Sequence, residues 1–260
     1  MPNQIHPSAI VSSSAELGNN NQIGAYAIIE DGVRLGDDNV IAAHAVIKYG
    51  TRMAHRNRVY EQAVIGGAPQ HIKFTDESVA TFVDIGSDNV FREAVTVNRA
   101  YQTGQSTILG DGNYLMFSAH IGHDCVIGNH NTFVTSCGIG GHVEIADRAF
   151  ISGGVMIHQF VHIGSYAMLG GNSKITQDVL PFMITDGNPA LVRGLNLVGL
   201  KRAGFVLDDI RALKQGYRLL FRRESSLEAN LAEMLALQHP LVTQLCEFVR
   251  AADRGFHRTE

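Results

Sequence analysis

From Leu109 to Leu180 an aliphatic or aromatic residue returns at every sixth position: Leu109, Leu115, Ile121, Ile127, Phe133, Ile139, Ile145, Ile151, Ile157, Ile163, Leu169 and Ile175. A period of six is neither the helical 3.6 nor the strand's 2, and a fixed repeat outranks local propensity. Hexapeptide repeats predict a parallel β-helix. Three hexads make one triangular coil of 18 residues, each hexad supplying a short strand with one apolar side chain aimed into the shaft, so residues 18 apart stack.

The fourth position after each aliphatic is usually small, as at Cys125, Cys137, Ala149, Ala167 and Ser173, which fits a tight inner corner. The same period runs through Ile5, Val11, Leu17, Ile23, Ile29, Leu35, Ile41, Ile47, Met53, Val59 and Ile65. It breaks near 68–78, resumes at Val79, Ile85, Phe91 and Val97, and breaks again near 99–107. Both breaks read as external loops, where function concentrates. With a strand spacing of ~4.8 Å, roughly ten coils predict a prism about 48 Å long. Gly187-Asn188-Pro189 marks the exit. Ile210, Leu213, Tyr217, Leu220 and Phe221 then fall at helical spacing, and further helices are expected from Ser226 to about Gln238 and from Pro240 to about Ala252. The expected division is a β-helix over 1–190 and a C-terminal helical domain over 191–260. Hexapeptide solenoids of this kind resemble the left-handed parallel β-helix.

Composition narrows function. Across 260 residues the formal net charge is −4, which argues against a protein that coats nucleic acid. No run approaches the ~18 apolar residues of a spanning helix, and the N-terminus lacks a signal-peptide pattern. A cytoplasmic protein without membrane insertion is expected. The three cysteines are odd in number, and Cys125 and Cys137 fill inward slots, so they read as core filler.

His123, Gly141 and Gln159 stand at intervals of 18 and stack along one edge, with His142 and His158 one step off that line. Isolated histidines such as His44, His55 or His130 read as edge decoration; stacking over three coils points to a site. No nucleophile elbow or P-loop is present. A neutral imidazole can take a proton from a hydroxyl attacking a carbonyl, worth ~10²–10⁴ in rate, and His123 is the expected base. Asp124 is the nearest carboxylate to fix its tautomer. Adjacent strand residues face opposite ways, so that pairing requires a bend at the coil corner. The backbone N–H of Gly141, one coil away, is the expected donor to a developing oxyanion. Acyl transfer is the expected reaction class.

The run Ala119-His120-Ile121-Gly122-His123-Asp124-Cys125, with Gly140-Gly141-His142-Val143 and Ile157-His158-Gln159-Phe160, resembles the UDP-N-acetylglucosamine O-acyltransferases that begin lipid A synthesis. Pro69-Gln70 to Phe74, Gly187-Asn188-Pro189, Gly194-Leu195-Asn196 and Gly199 to Phe205 extend the resemblance over nearly the whole chain. It implies a homotrimer with active sites between subunits, using a 3-hydroxyacyl group on the phosphopantetheine of acyl carrier protein, with no metal and no other cofactor. Residue by residue it implies His123 as general base and Gly141 as oxyanion donor. His120, His142, His158 and Gln159 would line the acyl and sugar clefts, and Gln70 and Lys73 would reach the substrate from the neighbouring subunit. Asn196 and Arg202 would contact the nucleotide. Met168 would line the acyl channel, and Gly171 stands where the family keeps its hydrocarbon ruler, leaving room for a longer chain.

Four positions depart from the commonest pattern: His71 replaces an Asp, Asn98 a His, Val198 a Glu and Ala203 an Arg. They cluster on the acceptor side, so N-acylation of a 3-amino UDP-sugar is the alternative. From Lys201 to Arg223, seven basic residues against Asp208 and Asp209 give +7 − 2 = +5, a surface that would steer an acidic carrier protein. A same-fold acetyltransferase using coenzyme A is disfavoured by the first loop and the helical tail. A zinc-dependent hydratase would need His123, His142 and His158 to converge at ~2.0–2.1 Å, against a backbone separation of roughly 9–10 Å over two coils. An ice-binding solenoid would show a repeated Thr row, which is absent.

Overall fold

In the computed structural model, which describes residues 1–75, 79–222 and 224–259, the hexads wind as a left-handed parallel β-helix. Asp76, Glu77 and Ser78 of the first expected loop, and Arg223 of the basic stretch, lie outside the described residues. The first face carries eleven strands, the second nine and the third eight. His120 pairs with Gly138 and Gly138 with Met156, so the coil repeat is the expected 18 residues there.

The ladder works because each coil hydrogen-bonds to the next while its aliphatic side chains fill the shaft. Ladder residues from Ile23 to Ile65 and from Ile85 to Ile175 are buried, as are Cys125, Cys137, Ala149, Ala167 and Ser173. Each fully buried aliphatic side chain contributes about 1.5–3 kcal/mol of apolar transfer energy. A second ladder inside the prism is polar. Asn21, Asn39, Asn57, Asn89, Asn113 and Asn131 are buried, and each side-chain Oδ1 from Asn21 to Asn113 accepts the backbone N–H of the asparagine one coil on, at 2.8–2.9 Å. The series closes where Ala149 donates its N–H to Asn131 Oδ1 at 2.7 Å.

Coil corners repeat one backbone state. Non-glycine residues in the left-handed region recur there, among them Asp124 (φ 59°), His142 (59°) and Phe160 (65°). Such residues are sterically disfavoured, and they persist because the pairing on either side fixes them.

The expected restart of the ladder at Val79 is corrected. Val79 lies in a bend, and the strand is Phe82–Ile85, with Val83 opposite Thr51 and Ile85 opposite Met53. The second break is shorter than expected, because the strand Ser106–Leu109 already contains Thr107. Arg99 is 2% exposed, with Nε donating to Thr81 Oγ1 at 3.0 Å.

At the exit, Met183–Gly187 and Ala190–Leu195 form an antiparallel hairpin around the cis Asn188-Pro189 bond. A short helix unforeseen in the sequence, α1 (Leu197–Arg202), follows; Asn196 caps it by accepting the Gly199 N–H. α2 (Leu207–Leu220) buries Ile210, Leu213 and Leu220; α3 (Leu227–Leu235) is capped by Ser226; α4 (Pro240–Ala251) starts on its proline. Among the described residues no helix is long and apolar enough to cross a membrane.

The asparagine ladder yields a stability prediction. Asn113→Ala leaves the Asn131 N–H and the Gly128 carbonyl without partners, at a cost of about 1–3 kcal/mol for each such buried group. A lower urea midpoint with unchanged far-UV dichroism is expected.

Candidate active site

His123, Gly141 and Gln159 occupy equivalent corners of three successive coils, where His142 N–H donates to the His123 carbonyl at 2.9 Å and Phe160 N–H to that of Gly141 at 3.1 Å. The bend that the sequence demanded is the left-handed conformation of Asp124. It turns the carboxylate back onto its neighbour, placing Oδ2 2.6 Å from His123 Nδ1. The same oxygen accepts the Tyr101 backbone N–H at 3.0 Å, and Asp124 N–H donates to Thr107 Oγ1 at 2.8 Å. Burial pushes the Asp124 carboxyl up, but the bonds from His123 and Tyr101 and the nearby His142 outweigh it and hold the carboxyl below its ordinary value. The carboxylate is therefore ionised at neutral pH and accepts a proton-bearing Nδ1, leaving the lone pair on His123 Nε2.

Gly141 meets that imidazole closely. A Cβ built there would lie 2.7 Å from both Cε1 and Nε2 of His123, so only glycine lets the ring lie across this corner. The Gly141 N–H has no acceptor among the described residues. The same corner geometry leaves the Gln159 N–H free one coil on.

Two histidines around this pair, His120 and His142, are shifted toward the neutral form. His120 Nδ1 lies 2.8 Å from Thr96 Oγ1, and burial, then His123, lowers its pKa. His142 stacks on Phe160 with centroids 4.6 Å apart and stands edge-on to His123 at 5.2 Å. Its pKa too is lowered, by burial first and then by His123 and His71, against the pull of Asp124.

A cleft of about 510 Å³ opens here, lined by Gln70, His71, Asn98, His120, His123, Gly141, Met156, His158 and Gln159. Gln70 and His71 line the cleft of their own chain. Aromatic contacts hold the loop there: His71 and Phe74 pack on Tyr101 with centroids 4.3 and 6.1 Å away, and His71 stands edge-on to His123 at 5.5 Å. Asn98 is 5% exposed; its Nδ2 donates to the Ala68 carbonyl at 2.8 Å, which leaves Oδ1 buried without a partner.

Other expected site residues lie apart. Lys73 does not line the cleft. Asn196 spends its amide on the α1 cap and on the Tyr166 carbonyl, and Arg202 is exposed on α1. Met168 sits on the first face between Phe150 and Ile184. At Gly171 a Cβ would find only the Gly153 carbonyl oxygen, at 3.6 Å, so there is space beside it. Two contributors were missed from the sequence, Tyr101 and Thr107. Tyr101 acts through its backbone, which leaves no side-chain signal, whereas Thr107 is a buried hydroxyl.

As to metals, His123, Asp124 and His142 bring ligand atoms within 4.8 Å of one another, but the Asp124 oxygen concerned is the one that accepts from His123. Among the described residues, His158 does not join that cluster. Covalent catalysis by Cys125 or Cys137 is disfavoured because burial pushes both thiols up to about 12.

Comparison with known proteins identifies the family. Residues 14–49 match the profile of the bacterial transferase hexapeptide (six repeats), and residues 178–257 that of UDP N-acetylglucosamine O-acyltransferase, domain 2. The acyl-[acyl-carrier-protein]–UDP-N-acetylglucosamine O-acyltransferase of Synechocystis is 44% identical over 196 residues, 74% of this chain and 70% of its own. That of Alkalilimnicola ehrlichii is 42% identical over 199 residues, 75% of this chain and 76% of its own. The crystal structure of the UDP-N-acetylglucosamine acyltransferase from Bacteroides fragilis superposes with a TM-score of 0.94 at 34% identity, covering 98% of this chain and 100% of that one. A hexapeptide solenoid, a helical tail matched by the family's own second domain and a stacked histidine edge meet in one chain, which belongs to the UDP-N-acetylglucosamine O-acyltransferase family.

Proposed function

We propose that the chain transfers a 3-hydroxyacyl group from acyl carrier protein to the 3-hydroxyl of UDP-N-acetylglucosamine, the first step of lipid A synthesis. The carrying observation is the Asp124–His123 pair lying across Gly141. As the sugar hydroxyl attacks the thioester carbonyl, His123 Nε2 takes its proton and the C–O bond forms. Asp124 stabilises the imidazolium and holds the ring in place. The carbonyl oxygen gains charge, and the free Gly141 N–H is the donor in reach of this corner. Collapse breaks the C–S bond, and the imidazolium returns the proton to the departing sulfur of phosphopantetheine.

Further roles follow the resemblance. His120, His142, His158 and Gln159 line the acyl and sugar clefts, with Gln70, His71 and Lys73 on the sugar side and Asn196 and Arg202 toward the nucleotide. Met168 lines the acyl channel and the space at Gly171 admits the chain. The chain acts in the cytoplasm as a homotrimer, needs no cofactor beyond the donor's phosphopantetheine, and docks its carrier on the basic helices. Of that basic set, Arg222 is tied to Glu233 and Asn230 and Arg211 to Asp208, which leaves Lys201, Arg202, Lys214 and Arg218 as the outward charge among the described residues.

A second reading is favoured by Asn98. It lines the cleft at a position where the resemblance expects a His, so the acceptor side departs from the commonest pattern, as acylation of a 3-amino sugar would require. Mass-spectrometric assay with 3-hydroxyacyl carrier proteins and both sugars decides between them. Ester from the hydroxyl sugar supports the first reading, amide alone the second, and no product from either sinks both.

For the base, His123→Ala is expected to abolish turnover with an unchanged melting temperature; near-normal turnover would remove His123 from that role. Asp124→Asn should lower kcat on the order of 10²–10⁴-fold by losing the tautomer and the counter-charge, read by steady-state kinetics. A drop below tenfold would make Asp124 dispensable.

A further inference from the structure

The chain's C-terminal segment returns to the solenoid and brings one guanidinium to the rim of the cleft. Asp178 N–H donates to the Gly255 carbonyl at 3.0 Å and His257 N–H to the Asp178 carbonyl at 3.2 Å, a parallel bridge between the last coil and the tail. Phe256 and His257 are each 5% exposed, and Gln177 N–H donates to His257 Nε2 at 3.3 Å. Val192 N–H donates to the Arg258 carbonyl at 2.9 Å. Arg254, at the start of this stitched segment, is exposed, and its Nη2 lies 3.5 Å from His158 Nδ1, across 96 residues of sequence.

That contact does not satisfy Arg254. His158 Nδ1 stands 3.0 Å from the Gln159 carbonyl and must carry the hydrogen to bond there, so it has no lone pair to offer a guanidinium. The remaining bond, Nη2 to the Thr176 carbonyl at 3.4 Å, is long. Both contacts use Nη2; Nε and Nη1 have no partner among the described residues. Asp178 competes weakly for the charge, since burial pushes its carboxyl up despite the pull of His162 and Arg254. A cation with most of its planar donor fork unused, on a backbone anchored at both sides, beside two residues that line the cleft, is built to receive an oxyanion.

We propose that Arg254 binds a substrate phosphate at the His158–Gln159 end of the cleft. The inference rests on the reaction proposed above for its two candidate sources, the phosphodiester of the donor's phosphopantetheine and the diphosphate of the nucleotide sugar. Arg254 holds that substrate in register and takes no part in proton transfer.

The test compares wild type with Arg254→Gln and Arg254→Lys. KM and kcat are measured for each substrate, with the acyl group carried on the carrier protein or on pantetheine lacking the phosphate. Arg254→Gln is expected to raise KM for one substrate roughly tenfold or more, the worth of a charged hydrogen bond, with kcat little changed. Arg254→Lys should recover part of the loss, since it keeps the charge without the fork. A rise in the carrier's KM that vanishes with the pantetheine donor assigns the anion to the phosphodiester. A rise in the KM for the nucleotide sugar with either donor assigns it to the diphosphate. Calorimetric binding of UDP-N-acetylglucosamine and of 4′-phosphopantetheine reads the same contact without turnover, and weakened binding of either by the variant supports the inference. Unmoved KM values with equal binding by wild type and Arg254→Gln overturn it. A wild-type protein that binds these ligands and makes no product sinks the reaction proposed above, while the binding comparison still decides the role of Arg254.

Discussion

The hydrogen bonding of each coil to the next is the constraint on which the rest of this molecule depends. It fixes a repeat of 18 residues over most of the prism, and that repeat converts distance along the chain into vertical stacking. Side chains that point inward must then satisfy the same small cross-section at every level, so the shaft accepts one aliphatic and one small residue per hexad. The buried asparagines show the same rule in polar form. An inward amide is tolerable only because the next coil always presents a backbone N–H to it at the same height. Where Ala149 takes the place of the next asparagine the polar ladder ends, although the coils continue, and Asn131 Nδ2 is left buried without a partner.

The candidate site is a by-product of this regularity. Corners must turn within a few atoms, and the left-handed backbone state is how each does so. At most corners that state merely costs conformational energy. At Asp124 it gives adjacent residues a geometry that a strand forbids, with imidazole and carboxylate on the same side and 2.6 Å apart. The corner below supplies an unpartnered N–H and, being glycine, gives the ring room. An imidazole–carboxylate pair of this kind needs no special loop to build it. The loops add what the solenoid cannot make, a wall: His71 lines one side of the cleft with Tyr101 packed against it, and Tyr101 also ties Asp124 in place through its backbone.

Legibility in the sequence follows from the same physics. Whatever repeats with the coil could be read directly, which covers the ladder, the stacked His123, Gly141 and Gln159, and the need for a bend at Asp124. The helices were readable because Ile210, Leu213 and Leu220 obey a helical period. Val79 was misplaced because a hexad phase cannot be carried across a loop of unknown length, and Val83 occupies the inward slot. α1 is six residues long, too short for periodicity to register. The backbone donor from Tyr101 and the approach of Arg254 to His158 depend on long-range placement that no local pattern encodes.

The placement of the C-terminal segment bears on how the two parts of the chain divide their work. In the reaction proposed above, the solenoid supplies His123 as base, Asp124 to fix its tautomer and the Gly141 N–H as oxyanion donor, all within two coils. The helical part and the exit hairpin bury a cluster around Leu231, Met234, Val242 and Leu245, and the stretch after α4 pairs with Asp178. That pairing costs the entropy of ordering several residues, at ~1–2 kcal/mol of backbone freedom each. Burial of Phe256 in that same cluster and of His257 against Gln177 works against that cost. A tail serving only to cover the last coil would have no reason to present a half-used guanidinium beside His158 and Gln159. The geometry instead joins the two parts at the cleft, with chemistry on the coil corners and charge for the substrate's phosphate brought from the far end of the chain.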